Sequence, residues 1–110
     1  MMRVRDFRNG EGRLSSFEVE AFGKDALRTI VSAIPGVRDV RSIHRVNRSS
    51  WIQEVAFCEF ELDGVILAVW ESSGDTKYWI QPVTPTGWAS QIQIVRDTFV
   101  EYTPVKNNYQ

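Results

Sequence analysis

The stretch IQEVAFCEFELDGVILAVWE, residues 52–71, decides the architecture. From Ile52 to Leu62 the side chains alternate in character, which is the two-residue period of a strand. Ile52, Ala56, Cys58, Phe60 and Leu62 share one phase; Val55, Phe57, Glu59 and Glu61 share the other, with Glu54 an exception near the start. Asp63-Gly64 then supplies two residues that tolerate positive φ, as a type I′ hairpin turn demands. Val65 to Glu71 returns as an almost wholly apolar run, the composition of a central strand buried on both faces. The centre of the chain is therefore an antiparallel hairpin.

Working outward, Ser72-Ser-Gly-Asp75 turns the chain and Lys77 to Val83 forms a further strand, ended by Pro82, which has no amide proton for a ladder. On the other side, Val37 to His44 reads as a weak strand with a basic side, and Asn47-Arg-Ser-Ser50 as a loop. Thr84-Pro85 resembles a helix start, and Trp88, Ile92, Val95, Phe99 and Tyr102 recur at spacings of three and four until Thr103-Pro104. Near the N-terminus, Ser15-Ser-Phe-Glu18 fits a capping box. Val19, Phe22, Ala26, Ile30 and Ala33 follow at helical spacing, widened by Leu27, Val31 and Ile34, and Pro35-Gly36 stops the pattern. These features predict a helix over 16–34. The alternation in Phe17-Glu-Val-Glu-Ala-Phe22, with Gly23 behind it, supports a second reading: strand 14–21, then helix 24–34. Residues 1–13 read as an arm or short strand and 105–110 as a frayed tail. The sum is a single α+β domain spanning 1–110. It has two layers: about four antiparallel strands in a meander, with an N-terminal and a C-terminal helix on one face.

Composition narrows the function classes. Of 110 residues, 43% are hydrophobic and 12% aromatic, enough for a core and far from a disordered composition. No apolar run approaches a membrane span, and the basic N-terminus has no apolar stretch behind it, so a cytoplasmic protein is the expectation. The net charge of −1 hides an asymmetry: residues 1–50 hold ten Lys/Arg against six Asp/Glu, and residues 51–110 three against eight. A basic half and an acidic half that neutralise one another are the ordinary outcome; two faces of opposite sign are the functional one.

The catalytic inventory is thin. A lone cysteine, Cys58, excludes an internal disulfide and a cysteine zinc site, and its phase with Ala56 and Phe60 predicts burial in the core. The lone histidine, His44, sits among Arg41, Arg45 and Arg48 and reads as an exposed strand residue, not a general base. No nucleophile elbow, zincin, phosphate loop or dinucleotide fingerprint occurs. Glu59 and Glu61 share a strand face, where solvated charge outweighs a metal pair, so neither an enzyme nor a cofactor is expected. The arginines Arg38, Arg41, Arg45 and Arg48 form the one constellation suited to phosphates. The sequence pI of about 5.8 and the absence of interleaved aromatics weigh against nucleic acid as the partner.

The aromatics point elsewhere. Trp70 is in phase with Ile66 and Ala68 and is read as core, facing the helices. Trp79 takes the opposite phase from Tyr78 and Ile80. It is read as outward, together with Trp51, Val55, Phe57, Val65, Leu67 and Val69. That is more apolar surface than a soluble monomer leaves wet, and it predicts an interface.

Phe60-Glu-Leu-Asp-Gly64, Val69-Trp-Glu71 and Gly74-Asp-Thr-Lys-Tyr-Trp-Ile-Gln-Pro82 together resemble a group of short uncharacterised bacterial proteins. In those a Trp-Glu strand leads through Gly-Asp-Ser/Thr to a Tyr-Trp-Ile-x-Pro strand. The resemblance covers about a quarter of the chain and implies a bacterial origin without an activity. In outline the chain is also similar to immunity proteins of bacterial toxins. The expectation is a non-enzymatic inhibitor or immunity-type protein. Its contact surface comprises Trp79, Trp51 and Phe57, ringed by Glu59, Glu61, Glu71 and Asp75, and its partner is a basic toxin or nuclease. The alternatives are a nucleic-acid module built on Arg38–Arg48 and a homodimer that buries the same face.

Overall fold

Eight elements follow one another in the computed structural model. They are β1 (Val4–Arg8), β2 (Leu14–Glu20), α1 (Lys24–Ala33), β3 (Val37–Ser49), β4 (Ile52–Leu62), β5 (Val65–Ser72), β6 (Lys77–Pro82) and α2 (Ala89–Glu101). The structure describes residues 3–21, 23–49, 52–72 and 77–102. The strands form one sheet in the order β1-β2-β6-β5-β4-β3, every neighbouring pair antiparallel. The predicted meander is β3 to β6. The predicted count of four falls two short, because the N-terminal segment adds β1 and β2 beyond β6. No helix among the described residues is long and apolar enough to cross a membrane.

The predicted helix over 16–34 is corrected to strand β2 followed by the shorter α1, the second of the two readings. The alternation of Phe17 and Val19 with Glu18 wins because β2 finds a ladder on both sides, β1 on one and β6 on the other. Ser15 and Ser16 therefore lie in a strand and cap nothing. Gly23 takes φ 98, outside the range of ordinary L residues, and gives the chain its corner into α1. That helix buries Leu27, Ile30 and Val31 and ends where predicted, with Gly36 at φ 88. The Asp63-Gly64 turn has φ 49 and 82, as the type I′ reading requires.

Helix α2 starts at Ala89, four residues later than Thr84-Pro85 suggested. The Thr84 hydroxyl accepts a hydrogen bond from the Ile66 amide at 2.9 Å instead, so it closes the end of β5 and caps no helix. Ile92, Val95 and Phe99 are fully buried, and Trp88 and Tyr102 pack at the edge of the same core.

Both helices cover one face of the sheet. Their apolar side chains join Phe17, Val19, Phe57, Cys58, Phe60, Leu62, Val65, Leu67, Val69, Tyr78 and Ile80 in one cluster. Burying such a Phe or Leu stabilises by about 1.5–3 kcal/mol each. Arg96 of α2 ties this layer to β1 by donating from Nε to Asp6 Oδ1 at 3.0 Å. A second, smaller cluster of Ala56, Ala68 and Trp70, with Ile43 and Trp79 packed against it, occupies the opposite face.

The face assignments of two strands are corrected. In β5, Val65, Leu67 and Val69 point to the helices, while Ala68 and Trp70 point away. In β4, the register shifts between Ala56, opposite Trp70, and Cys58, opposite Val69, so that Phe57 is an extra residue. This bulge breaks the alternation. Ala56 faces outward, Cys58, Phe60 and Leu62 inward, and Phe57 also turns to the helix side.

Candidate functional site

The helix-free face is built by one row of cross-strand neighbours that runs over all six strands. Arg5 stands opposite Glu18, Glu18 opposite Trp79, Trp79 opposite Trp70, Trp70 opposite Ala56, and Ala56 opposite Arg45. Each outward position follows from the two-residue period of its own strand. Trp70 is 8% exposed and its indole Nε1 is buried without an acceptor among the described residues. Trp79, beside it, is half-buried and packs against the Ala56, Ala68 and Trp70 cluster.

Around Trp79 lies a shallow depression of about 380 Å³, lined by Phe7, Ser16, Glu18, Trp79 and Gln81 of β1, β2 and β6 and, from the other side of the indole, by Glu54 of β4. Phe7 is 37% exposed, and the Arg5 guanidinium lies over its ring at 5.4 Å from the centroid. Glu18 and Glu54 are half-buried, and neither carboxylate has an ion pair or side-chain hydrogen bond among the described residues. Two carboxylates without a cation thus border one depression.

Toward the β3 edge one carboxylate is fully paired. Glu59 is 5% exposed and is clamped by two arginines of β3: Arg41 Nη2 donates to Oε1 at 2.8 Å and Arg45 Nη1 to Oε2 at 2.9 Å. The expectation of solvated charge at Glu59 is corrected: its outward strand position holds, but the edge strand folds two guanidiniums onto it. Arg41 and Arg45 in turn are not free cations, and the three groups together carry one net positive charge. Glu61, half-buried, pairs in register with Arg38 across β3 and with Ile66 across β5.

Two residues expected on this face are not there. The bulge carries Phe57 to the helix side, where it meets the edge of Tyr78 at 5.8 Å and the cations of Lys24 and Arg28 at 5.4 and 5.3 Å. Glu71 also faces the helices, and Lys24 of α1 pairs with it at 2.9 Å. Trp51 and Asp75 lie outside the described residues, as does the side chain of Arg48 on β3. With Val65, Leu67, Val69 and Phe57 turned inward, the outer face is less apolar than the alternation suggested. Among the described residues its aromatic surface narrows to Trp79 and Phe7.

Cys58 and His44 do not meet as a catalytic pair. Cys58 is 1% exposed in the helix-side core, where burial is the main cause that raises its thiol pKa, and His44 is exposed on β3. Among the described residues no group of His, Cys, Asp and Glu has the makings of a metal site. A second depression of about 390 Å³ lies between the 9–13 turn and the start of α2, lined by Arg13, Thr86, Trp88 and Ser90 among others.

Sequence reasoning passed over Phe7, Glu18, Glu54 and Gln81. Glu18 was absorbed by the capping-box reading, although the alternation around it carried the contrary signal. Glu54, a polar residue in the apolar phase of the predicted strand, marks the irregularity that the bulge resolves, because before the bulge that phase faces outward. No family model matches the chain, and neither does any curated protein or solved structure.

Proposed function

We propose that this chain is a non-enzymatic protein-binding module of the inhibitor or immunity type, with the helix-free face around Trp79 as its contact surface. The observation that supports this reading most is the depression itself. A half-buried tryptophan stands in the middle of a face that no described helix covers, next to two half-buried carboxylates without ion pairs. Large aromatics at the centre of a patch are the usual anchors of an interface, and unpaired acids steer a basic partner toward it. The partner is accordingly a basic protein; a bacterial toxin or nuclease has that character.

The homodimer reading drew on a broad apolar face, and inward-turned Val65, Leu67, Val69 and Phe57 leave it less support. The nucleic-acid reading drew on free arginines, two of which share Glu59.

The test is a photo-crosslinking residue placed at Gln81, in the depression, and in a second protein at Asp97, exposed on α2. In the producing cell, the first should give a discrete heteromeric adduct that disappears with Trp79→Ala, and the second none. Adducts from position 97 alone, or a self-adduct from position 81, would overturn the reading.

A further inference from the structure

We propose that the depression beside Trp79 receives a single arginine side chain of the partner protein, stacked on the indole and held by Glu18 and Glu54. This rests on the reading of the helix-free face as a contact surface. The first argument is charge. Asp6, Glu59 and Glu71 are withdrawn from solvent, and each has a cation within 3.0 Å: Arg96, the Arg41–Arg45 pair, and Lys24. Glu18 and Glu54 are half-buried, as Asp6 and Glu71 are, and have none among the described residues. Glu61 is the other half-buried carboxylate without an ion pair, but it lies opposite Arg38 and outside the depression. The two unmatched carboxylates border one depression from opposite sides of Trp79, β2 and β4, so a cation seated over the indole lies between them.

The second argument is the aromatic lining. Trp79 and Phe7 both border the depression, and the indole face is the strongest aromatic partner for a cation. The chain already uses this contact, with Arg5 over Phe7 at the border of the depression and with Arg28 and Lys24 over Phe57 in the helix layer. Arg5 stands opposite Glu18, yet it directs its guanidinium onto Phe7 and forms no ion pair with the carboxylate. Arginine fits better than lysine because its planar fork donates to two carboxylates at once while one face stays stacked; an ammonium is a point charge with a tighter hydration shell. Ser16 and Gln81 add neutral acceptors for the remaining N–H groups.

The experiment titrates the protein with acetyl-Gly-Arg-Gly-amide, its lysine counterpart and its citrulline counterpart, which keeps the shape of arginine without the charge. The readout is the NMR signal of the Trp79 indole N–H, assigned by its loss in Trp79→Phe. The arginine peptide should shift that signal with millimolar affinity and leave the Trp88 indole unmoved. The lysine peptide should bind more weakly and the citrulline peptide not measurably. Neutralising one carboxylate in Glu18→Gln or Glu54→Gln should weaken binding about threefold, and both together about tenfold, the range of partly exposed ion pairs. Glu101→Gln on α2 should change nothing, and urea midpoints confirm that each variant is folded. If the double variant does not fold, the single variants decide. Equal binding of the citrulline peptide, tighter binding of the lysine peptide, an unaffected Glu→Gln variant, or no shift with arginine would each overturn the assignment. A discrete adduct from position 81 alongside any of those results leaves the contact surface standing and removes only the arginine.

Discussion

Removal of Arg41 and Arg45 should cost more stability than removal of the whole charge cluster they belong to. Glu59 has a side chain only 7% exposed, held at 2.8 and 2.9 Å by guanidiniums that are themselves 45% and 52% exposed. Hydrogen bonds to charged groups contribute about 1.5–3 kcal/mol each, and the half-exposed arginine heads reduce that by screening to about half. Losing both in Arg41→Gln/Arg45→Gln leaves a carboxylate in the sheet face without its cations, and we expect a loss of about 3 kcal/mol. Either single change keeps one clamp and should cost about 1 kcal/mol. Adding Glu59→Met to the double variant removes the stranded charge, and it should restore stability to within about 1 kcal/mol of the parent, because apolar replacement of a buried ionic cluster is often near neutral. Equilibrium unfolding in urea, which unlike guanidinium salts does not screen charge, followed by tryptophan fluorescence, gives the free energies of the parent and its four variants. A double variant that loses less than about 1 kcal/mol, or a triple variant less stable than the double, would refute the reasoning.

Cys58, 1% exposed with its thiol pKa raised mainly by burial, should label slowly with a thiol reagent in the native state and rapidly after unfolding. Because the raised pKa belongs to the folded state, its contribution to stability is full below the unfolded thiol's pKa and declines as pH rises past it toward the folded value; a urea midpoint that climbs between pH 8 and 10 would contradict this, taking about 8.5 for the free thiol. Gly36→Ala should lose about 1–2 kcal/mol, since φ 88 is strained for alanine and its Cβ would stand 3.3 Å from Leu62 Cδ1, whereas Gly10→Ala meets nothing and should be neutral by thermal melting. Phe57→Ala should destabilise by about 3–4 kcal/mol and Trp79→Ala by less than half of that; the reverse order in urea unfolding would invert the two faces. No binding to RNA or DNA is expected at physiological salt in a mobility-shift assay, and micromolar binding abolished by the Arg41→Gln/Arg45→Gln double variant would promote the arginine strand to the working site.

The elements were legible where a local signal stood alone. The Asp63-Gly64 turn, the strand up to Leu62 and the stripe of α2 each rest on residues within one or two turns of each other. The segment 14–34 carried two valid patterns, and the choice between them lay in a non-local fact, the ladder that β6 offers to Phe17, Glu18 and Val19. A capping box is a property of a few residues; a strand partner sixty residues away is not. Likewise Thr84 has a good helix-start neighbour in Pro85, but its hydroxyl is claimed by Ile66 across the hairpin.

The identity of the site turned on which face each strand shows, and period two carries no sign when both phases are apolar. In β5, Val65, Leu67 and Val69 alternate with Ile66, Ala68 and Trp70, so the pattern alone is blind to direction. The packing shows the direction. Leu67 and Val69 join Leu27, Ile30, Val31, Ile92 and Phe99 in the helix-side layer. Trp70 lies on the other face with the small side chains of Ala56 and Ala68. The bulge at Phe57 completes the separation by sending one more aromatic to the helices and Ala56 outward beneath Trp70. Charge then sorts by strand neighbour and not by half of the chain. The basic β3 lies beside the acidic β4, and two of its arginines match Glu59. Glu18 from the basic half, on β2, and Glu54 from the acidic half, on β4, stay unmatched on either side of Trp79 and border one depression. The residues that single out this place came from opposite ends of the charge asymmetry, and only the sheet order β2-β6-β5-β4 brings them to the same tryptophan.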